Sequence, residues 1–438
     1  MNNIYSFLKN VYFKKNNSNV VSQTLIFAFA LVLICIPLPV IFGSISSMLF
    51  ILLFLFLERK KMFNSSFALF LPISLFFLMM ISLLWSIDFA ETKNSFQKEI
   101  LLLLFPIVFL FYKKYNKQQL YKSIEIYSFF MVVFAVFKLV LAVYNYMQTK
   151  NINVFFYHEL VSLDLNAIYV ATFSSFALFY FLQLSKKNNL HQFCIAILTL
   201  FVFLLSSKSI IFIDVILIVY FYARFAIIPK SVKFFTISAV LIFVFSSLFF
   251  VKQIRNRFLI EYQTAFVDNT VNTNSPNATV YNVSINQAWN NEVFYAYNYF
   301  PGGALRVYQF RIFCEMVASD QVFFYGYGHN AAQSKIKEKE VQHHLYKGYG
   351  DFNFHNQYVQ TFAELGFFGF LILIMMVFIN IRNAFKSKDF LHIVFAVTTL
   401  FLFLTESMLC RQRGIVYFIT LYCIFNISNQ PKLQNSTS

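Results

Sequence analysis

FALFLPISLFFLMMISLL, residues 67–84, places eighteen residues in a row without a charge. At 1.5 Å per residue such a run is about long enough to cross the roughly 30 Å hydrocarbon core of a bilayer as an α-helix. The pattern recurs in LVLICIPLPVIF (31–42) and MLFILLFLFL (48–57). Of 438 residues, 59% are hydrophobic and 12% charged, with 62 Phe against 10 Gly. Soluble domains carry about 25% charged residues. These features define an all-α polytopic membrane protein. Alternating barrel-type strands are absent, which argues against an outer-membrane barrel.

Apolar runs predict about twelve transmembrane helices, near 21–36, 38–57, 67–85, 99–112, 124–146, 166–184, 190–206, 209–227, 231–251, 357–380, 388–408 and 413–428. With the N-terminus inside, nineteen lysines and arginines fall in inside segments and six in short outside ones. Positive charge favours the cytoplasmic side, so both termini are expected inside. The expected organisation is a cytoplasmic N-terminus over 1–20, nine spans in 21–251, an outside segment over 252–355, three spans in 356–428 and a cytoplasmic tail over 429–438. The net charge of +16 is read as lysines facing anionic head groups, not as a nucleic-acid surface. Cys35, Cys194, Cys314, Cys410 and Cys423 show no disulfide framework or zinc spacing. No cleavage-site pattern follows the basic N-terminus, so the first span is expected to stay.

Within the outside segment, residues 254–300 are rich in Asn and Tyr. They read as an irregular loop, or as amides and rings offered to sugars. Residues 304–319 read as an amphipathic helix entered after Pro301-Gly302-Gly303. FHNQYVQTFAELGFFG (354–369) then sets a His-Asn pair at the mouth of a span. On a continuous helix, Gly366 lies about 20° and Gly369 about 40° from the direction of His355. That spacing predicts one stripe holding the imidazole above two close-packing glycines, with Glu364 facing away. A second pair, His329-Asn330, is followed by lysines and glutamates and reads as exposed loop.

The 354–369 stretch matches His-[Asn/Ser/Gln], nine residues, Gly, two residues, Gly through His355, Asn356, Gly366 and Gly369. It resembles the O-antigen ligase family, which also takes in O-antigen polymerases and protein O-oligosaccharyltransferases. RVYQFRIFCEMVASDQVFFYGYG resembles that family's arginine stretch, with Arg306 at the arginine, Phe310 where a Trp is common, and Gly326 and Gly328 at the Gly-x-Gly turn. LLSSKSIIF resembles its Ser-Arg segment, with Lys208 for the arginine, and SLLWSID (82–88) resembles an early segment. The resemblance implies a membrane-embedded transferase, in the bacterial inner membrane with its site facing the periplasm; no cofactor is expected, and no metal is needed where arginines neutralise the phosphates. Its donor would be an undecaprenyl-pyrophosphate-linked glycan; its acceptor lipid A-core, a growing glycan or a protein hydroxyl.

The residue chemistry agrees. Cations near the interface stabilise a diphosphate leaving group, and a histidine suits proton abstraction from an attacking hydroxyl. His355 and Arg306 are the expected catalytic residues. Lys208, Arg411, Arg413, Arg311 and Asn356 are the expected binding residues. Arg311 lies about 140° round the helix from Arg306, so a lipid or solvent role competes for it. Arg411 and Arg413 are alternatively interface anchors, with Glu406 paired to one of them. Asp88 and Lys138 are ionisable groups in or beside spans. His158, Asp164 and Asn166 are acceptor-groove residues or ordinary loop. His343, His344, Asp351 and His355 lack zinc spacing. A lipid-linked glycan flippase is the rival reading; charges gathered on one face beside one loop favour the enzyme.

Overall fold

The computed structural model describes residues 17–57, 66–111, 117–161, 165–272 and 279–427. The tail over 429–438, most of the segment over 1–20, and Asp164 lie outside the described residues. A helix stands at each expected apolar range: Asn17–Cys35, Val40–Leu57, Phe67–Ile81, Leu101–Leu110, Lys117–Thr149, Ala167–Gln183, Asn189–Leu205, Lys208–Arg224, Lys230–Phe250, Gln357–Ser387, Phe390–Thr405 and Gln412–Ile427. Among the described residues, four stretches are long and apolar enough to cross a membrane by length and composition. They are Val40–Leu57, Phe67–Leu84, Leu120–Thr149 and Gln357–Ser387. Asn or Asp side chains cap several starts, as Asn166, Asn188 and Asp389 do by accepting from the first-turn N–H groups.

Helices in a bilayer are held mainly by packing, since lipid tails are as apolar as leucine. This chain has few glycines for close backbone approach, and packs by interlocking rings. The Phe29 ring lies 5.1 Å from Phe50 and 5.5 Å from Phe109. Phe173 lies 4.9 Å from Tyr417, and Phe395 5.8 Å from Phe425. The first three pairs are tilted or edge-on and the last is stacked, arrangements that aromatic rings favour.

The 252–355 segment is more ordered than a surface loop. Its helices are Lys252–Phe266, Ile285–Asn290, Gly302–Asp320 and Ala332–Gln342. Three two-residue strands form a small sheet: Tyr281–Asn282 pairs antiparallel with Thr270–Val271 and parallel with Asn298–Tyr299. The Gly302–Asp320 helix starts after Pro301 and buries Ala304, Tyr308, Ile312 and Met316 at four-residue spacing; Gln309 is buried beside them and Phe310 is exposed, so its apolar and polar residues are not separated as the expected amphipathic helix would have them. Ala304, Tyr308, Ile312 and Met316 join Val283, Phe294, Phe300 and Tyr327 in a second apolar core. Phe294 and Phe300 of the Asn- and Tyr-rich stretch thus supply part of a core, which the reading as irregular loop missed, while Tyr295, Tyr297 and Tyr299 stay exposed.

Candidate active site

The Gln357–Ser387 helix is broken at Gly366, whose backbone turns to φ 64° and ψ −162°. The Gly-x-Gly turn fills the break. Tyr327 and Gly328 donate their N–H groups to the carbonyls of Ala363 and Glu364, each at 2.9 Å, and Phe367 donates to the Phe323 carbonyl at 2.8 Å. The two backbones cross so closely that a Cβ on Gly366 would lie 2.2 Å from the Phe324 carbonyl carbon. A Cβ on Gly326, at φ 69°, would lie 2.4 Å from the Glu364 carbonyl carbon. Only glycine meets both demands at either position. Gly328 packs on Ser86, and Gly369 on the Leu365 side chain, away from the crossing. Trp85 joins the clasp, its indole N–H donating to the Tyr325 carbonyl at 2.9 Å.

This geometry corrects the expected stripe. His355 is not on the helix: it precedes the cap, with φ 46°. The helix break at Gly366 also voids a continuous 100° count from 355 to 369. What fixes His355 is its neighbour. Asn356 caps the helix, its side-chain oxygen accepting from the N–H groups of Tyr358 and Val359 at 3.0 and 3.1 Å. Its own N–H donates to the Ser407 hydroxyl at 3.2 Å. Asn356, expected to bind substrate, is used as cap and tether. The His355 N–H donates to the Asn353 side chain at 3.0 Å. Leu409 donates to the Gln357 side chain at 2.7 Å, pinning the 405–410 turn to the same helix start.

That turn brings Glu406 in. Its carboxylate is buried, with one oxygen 3.4 Å from an Arg306 nitrogen and the other 3.7 Å from His355 Nδ1. Arg306 is further held by the Thr405 carbonyl, which accepts from Nε and Nη2 at 3.2 and 3.1 Å, and by the Gly302 carbonyl at 3.1 Å. About a third of its side chain remains exposed. His355, Arg306, Glu406 and Lys208 all line one cavity of about 810 Å³. Lys208 begins its helix and pairs with Glu261, another lining residue, at 2.8 Å. His158, Asn166, Asn272 and Tyr299 line the same cavity, so two residues weighed against ordinary loop face the shared space.

The structure separates the remaining expected residues from this cavity. Arg311 is nearly buried and donates to Glu315 at 2.7 Å and to the Asn291 carbonyl at 2.6 Å. It ties two helices of the outer core together. Arg413 donates from Nε to the Leu38 carbonyl at 3.1 Å and lines a different groove. Arg411 is exposed and is not among the cavity-lining residues. Glu406, expected beside one of these two arginines, faces Arg306 instead. His343 packs on the Tyr308 hydroxyl at 3.0 Å and lies 3.4 Å from Glu315, where burial lowers its pKa.

Two features escaped the sequence reading. Glu406 was expected only as an ion-pair partner of Arg411 or Arg413; its place between Arg306 and His355 had as its one available signal an acid in the apolar stretch TESMLC. His329 is not exposed loop: it is buried, 2.8 Å from Glu364 and 3.7 Å from Glu99.

Residues 193–374 match the model of the O-antigen ligase family. The matched stretch contains Lys208, Arg306, the Gly-x-Gly turn and His355 through Gly369; Glu406 lies beyond it. The match supports a membrane glycan transferase of the O-antigen ligase or polymerase type. No curated protein matches the chain.

Proposed function

We propose that this chain, which carries the O-antigen ligase segment, transfers a glycan from undecaprenyl pyrophosphate to an acceptor hydroxyl at the periplasmic face of the bacterial inner membrane. The reading takes all twelve apolar helices as spans, both termini as cytoplasmic, and the 252–355 segment as periplasmic. One observation carries it: an imidazole and two cations from three separate parts of the chain line a single cavity large enough for a diphosphate and a sugar.

Arg306 and Lys208 hold the diphosphate. Their charges stabilise the negative charge that grows as the bond from the anomeric carbon to the diphosphate oxygen breaks. Arg306 is presented in a fixed orientation by the Thr405 and Gly302 carbonyls. His355 removes the acceptor proton as the hydroxyl attacks the anomeric carbon from the opposite side, which inverts the configuration. With Nδ1 turned to Glu406, a proton there leaves Nε2 as the accepting nitrogen. Separations such as 3.7 Å shorten when substrate closes a site. Glu406 thus positions both the base and the arginine. Tyr299 lines the cavity, and Tyr297, exposed, stacks on Tyr295 at 5.2 Å. Rings with an apolar face and a polar edge suit the sugars of a glycan leaving the site.

The test uses purified protein in detergent with lipid-linked glycan and acceptor. His355→Ala is expected to lower transfer about 10²–10⁴-fold, the usual worth of a general base. Unchanged transfer in that variant removes His355 from the chemistry. Lipid A-core as the accepted substrate identifies a ligase; a second carrier-linked repeat identifies a polymerase.

A further inference from the structure

Among the described residues two acids line the His355 cavity, and they are held differently. Glu406 is buried between Arg306 and His355. The Glu261 side chain is more than a third exposed, and its Oε2 lies 2.8 Å from Lys208 Nζ. Its other oxygen stands toward the second cation. A Cβ on Gly302 would lie 2.9 Å from Glu261 Oε1 and 3.3 Å from Arg306 Nη1, so carboxylate and guanidinium flank one small space that the glycine leaves open. The Glu261 carboxylate therefore occupies the place between Lys208 and Arg306, the two groups proposed above to seat the diphosphate. Two anions in that one place would repel each other and divide the same cations.

The helix that carries Glu261 is lightly seated. Among the described side chains of Lys252–Phe266 only Thr264 is buried, and Tyr262 and Phe266 are exposed. Elements with few buried contacts open at low cost. The Glu261 carboxylate can therefore leave Lys208 by a turn of its own side chain or by a shift of its helix, whereas Glu406 is enclosed by the partners it holds. A carboxylate that only tied two helices together could stand anywhere along them. This one stands on the cavity wall, at the cations.

We propose that Glu261 is the cavity's own competitor for the diphosphate. Before the donor enters, its carboxylate pairs with Lys208 and crowds Arg306. The lipid-linked donor displaces it, because a diphosphate brings more charge and more acceptor oxygens to the same cations than one carboxylate does. In the transfer the bond from the anomeric carbon to the diphosphate oxygen breaks, and the diphosphate stays on the carrier lipid. Return of Glu261 to Lys208 then helps to expel that spent carrier. The inference rests on Arg306 and Lys208 being the cations that hold the diphosphate.

The test measures binding of inorganic pyrophosphate to the full chain in detergent by calorimetry, with turnover of the lipid-linked donor alongside. Glu261→Gln keeps the shape and removes the charge. It should bind pyrophosphate about fivefold more tightly, the worth of a partly exposed ion pair that no longer has to be broken. Glu261→Ala should tighten binding as well; a damaged fold weakens binding, so a gain in both variants is not a folding artefact. The gain should shrink on a Lys208→Met background, because that pair is what the ligand breaks. In turnover, Glu261→Gln should lower KM for the donor and lower kcat, as the spent carrier leaves more slowly. His355→Ala should bind pyrophosphate like the wild type, which keeps the measurement independent of proton abstraction. Unchanged or weaker binding in Glu261→Gln, while Lys208→Met and Arg306→Met still lose it, overturns this inference and leaves the diphosphate site standing. Equal binding in Lys208→Met, Arg306→Met and the wild type removes the diphosphate site itself, and this inference with it.

Discussion

The chain contains the dipeptide His-Asn twice, and the fold treats the copies in opposite ways. His329-Asn330 is sealed. The His329 ring is buried against Glu364 and Glu99 and stacks on Phe96 at 6.3 Å. Its N–H donates to the Ser82 hydroxyl at 3.0 Å and its carbonyl accepts from Thr92 at 2.6 Å. His355-Asn356 is open: Asn356 closes a helix, and His355 is turned by a positive φ onto a cavity. Both imidazoles have carboxylates nearby. In the first the acids are buried with it and nothing else can enter. In the second the acid is buried, but the imidazole keeps about a quarter of its side chain exposed. The difference assigns the first histidine to architecture and the second to chemistry.

Exchange of effects between the two histidines is the sharpest way to break this contrast. His355→Ala should lose the 10²–10⁴-fold in transfer stated above while melting close to the wild type. His329→Ala leaves two buried carboxylates facing an empty space, and should destabilise by about 3–5 kcal/mol, read by denaturation in detergent. If His329→Ala melts normally and His355→Ala does not, the assignment is reversed. Glu406→Gln keeps shape but loses charge. It should lower transfer about 10–100-fold, the worth of one or two kcal/mol per lost charged hydrogen bond, with no effect on the His329 cluster. Gly366→Ala must push a methyl into the Phe324 carbonyl at a positive φ, and should cost more than about 1 kcal/mol. A stable Gly366→Ala protein would show that the crossing is looser than described.

The smallest effect concerns pH. Burial opposes protonation of His329, but Glu364 and Glu99 outweigh it, so its pKa is raised above the ordinary imidazole value. A raised folded pKa gives stability that is full below about pH 6.5, the unfolded value, and is lost as pH climbs through the folded value. The melting temperature of the wild type should therefore approach that of His329→Gln as pH rises. A gap that widens with pH contradicts the buried His–Glu pairing.

The helices were legible because a bilayer demands long apolar runs; the Asn and Asp caps that close their starts are a finding of the structure. His355, Arg306 and Lys208 were legible as chemistry, and they line one cavity. What sequence did not carry is contact between distant segments. Glu406 stands five residues from Arg411, yet meets Arg306 a hundred residues earlier. His329 was judged by the lysines and glutamates after it, which occupy the solvated Ala332–Gln342 helix while the histidine turns inward. The helical phase drawn from His355 to Gly369 assumed an unbroken helix. Gly366 was recognised, but its partner, the backbone of residues 324–326, lay outside any local pattern.

The clasp at Gly366 has a consequence for how the motif's length is kept. One end of the interval is fixed by the Gly-x-Gly turn lodged in the break, the other by Asn356 tied to Ser407. Nine residues of helix between them act as a ruler with both ends nailed down. Adding or removing one residue would swing the histidine about 100° and shift it about 1.5 Å, pointing the imidazole out of the cavity with every side chain still present.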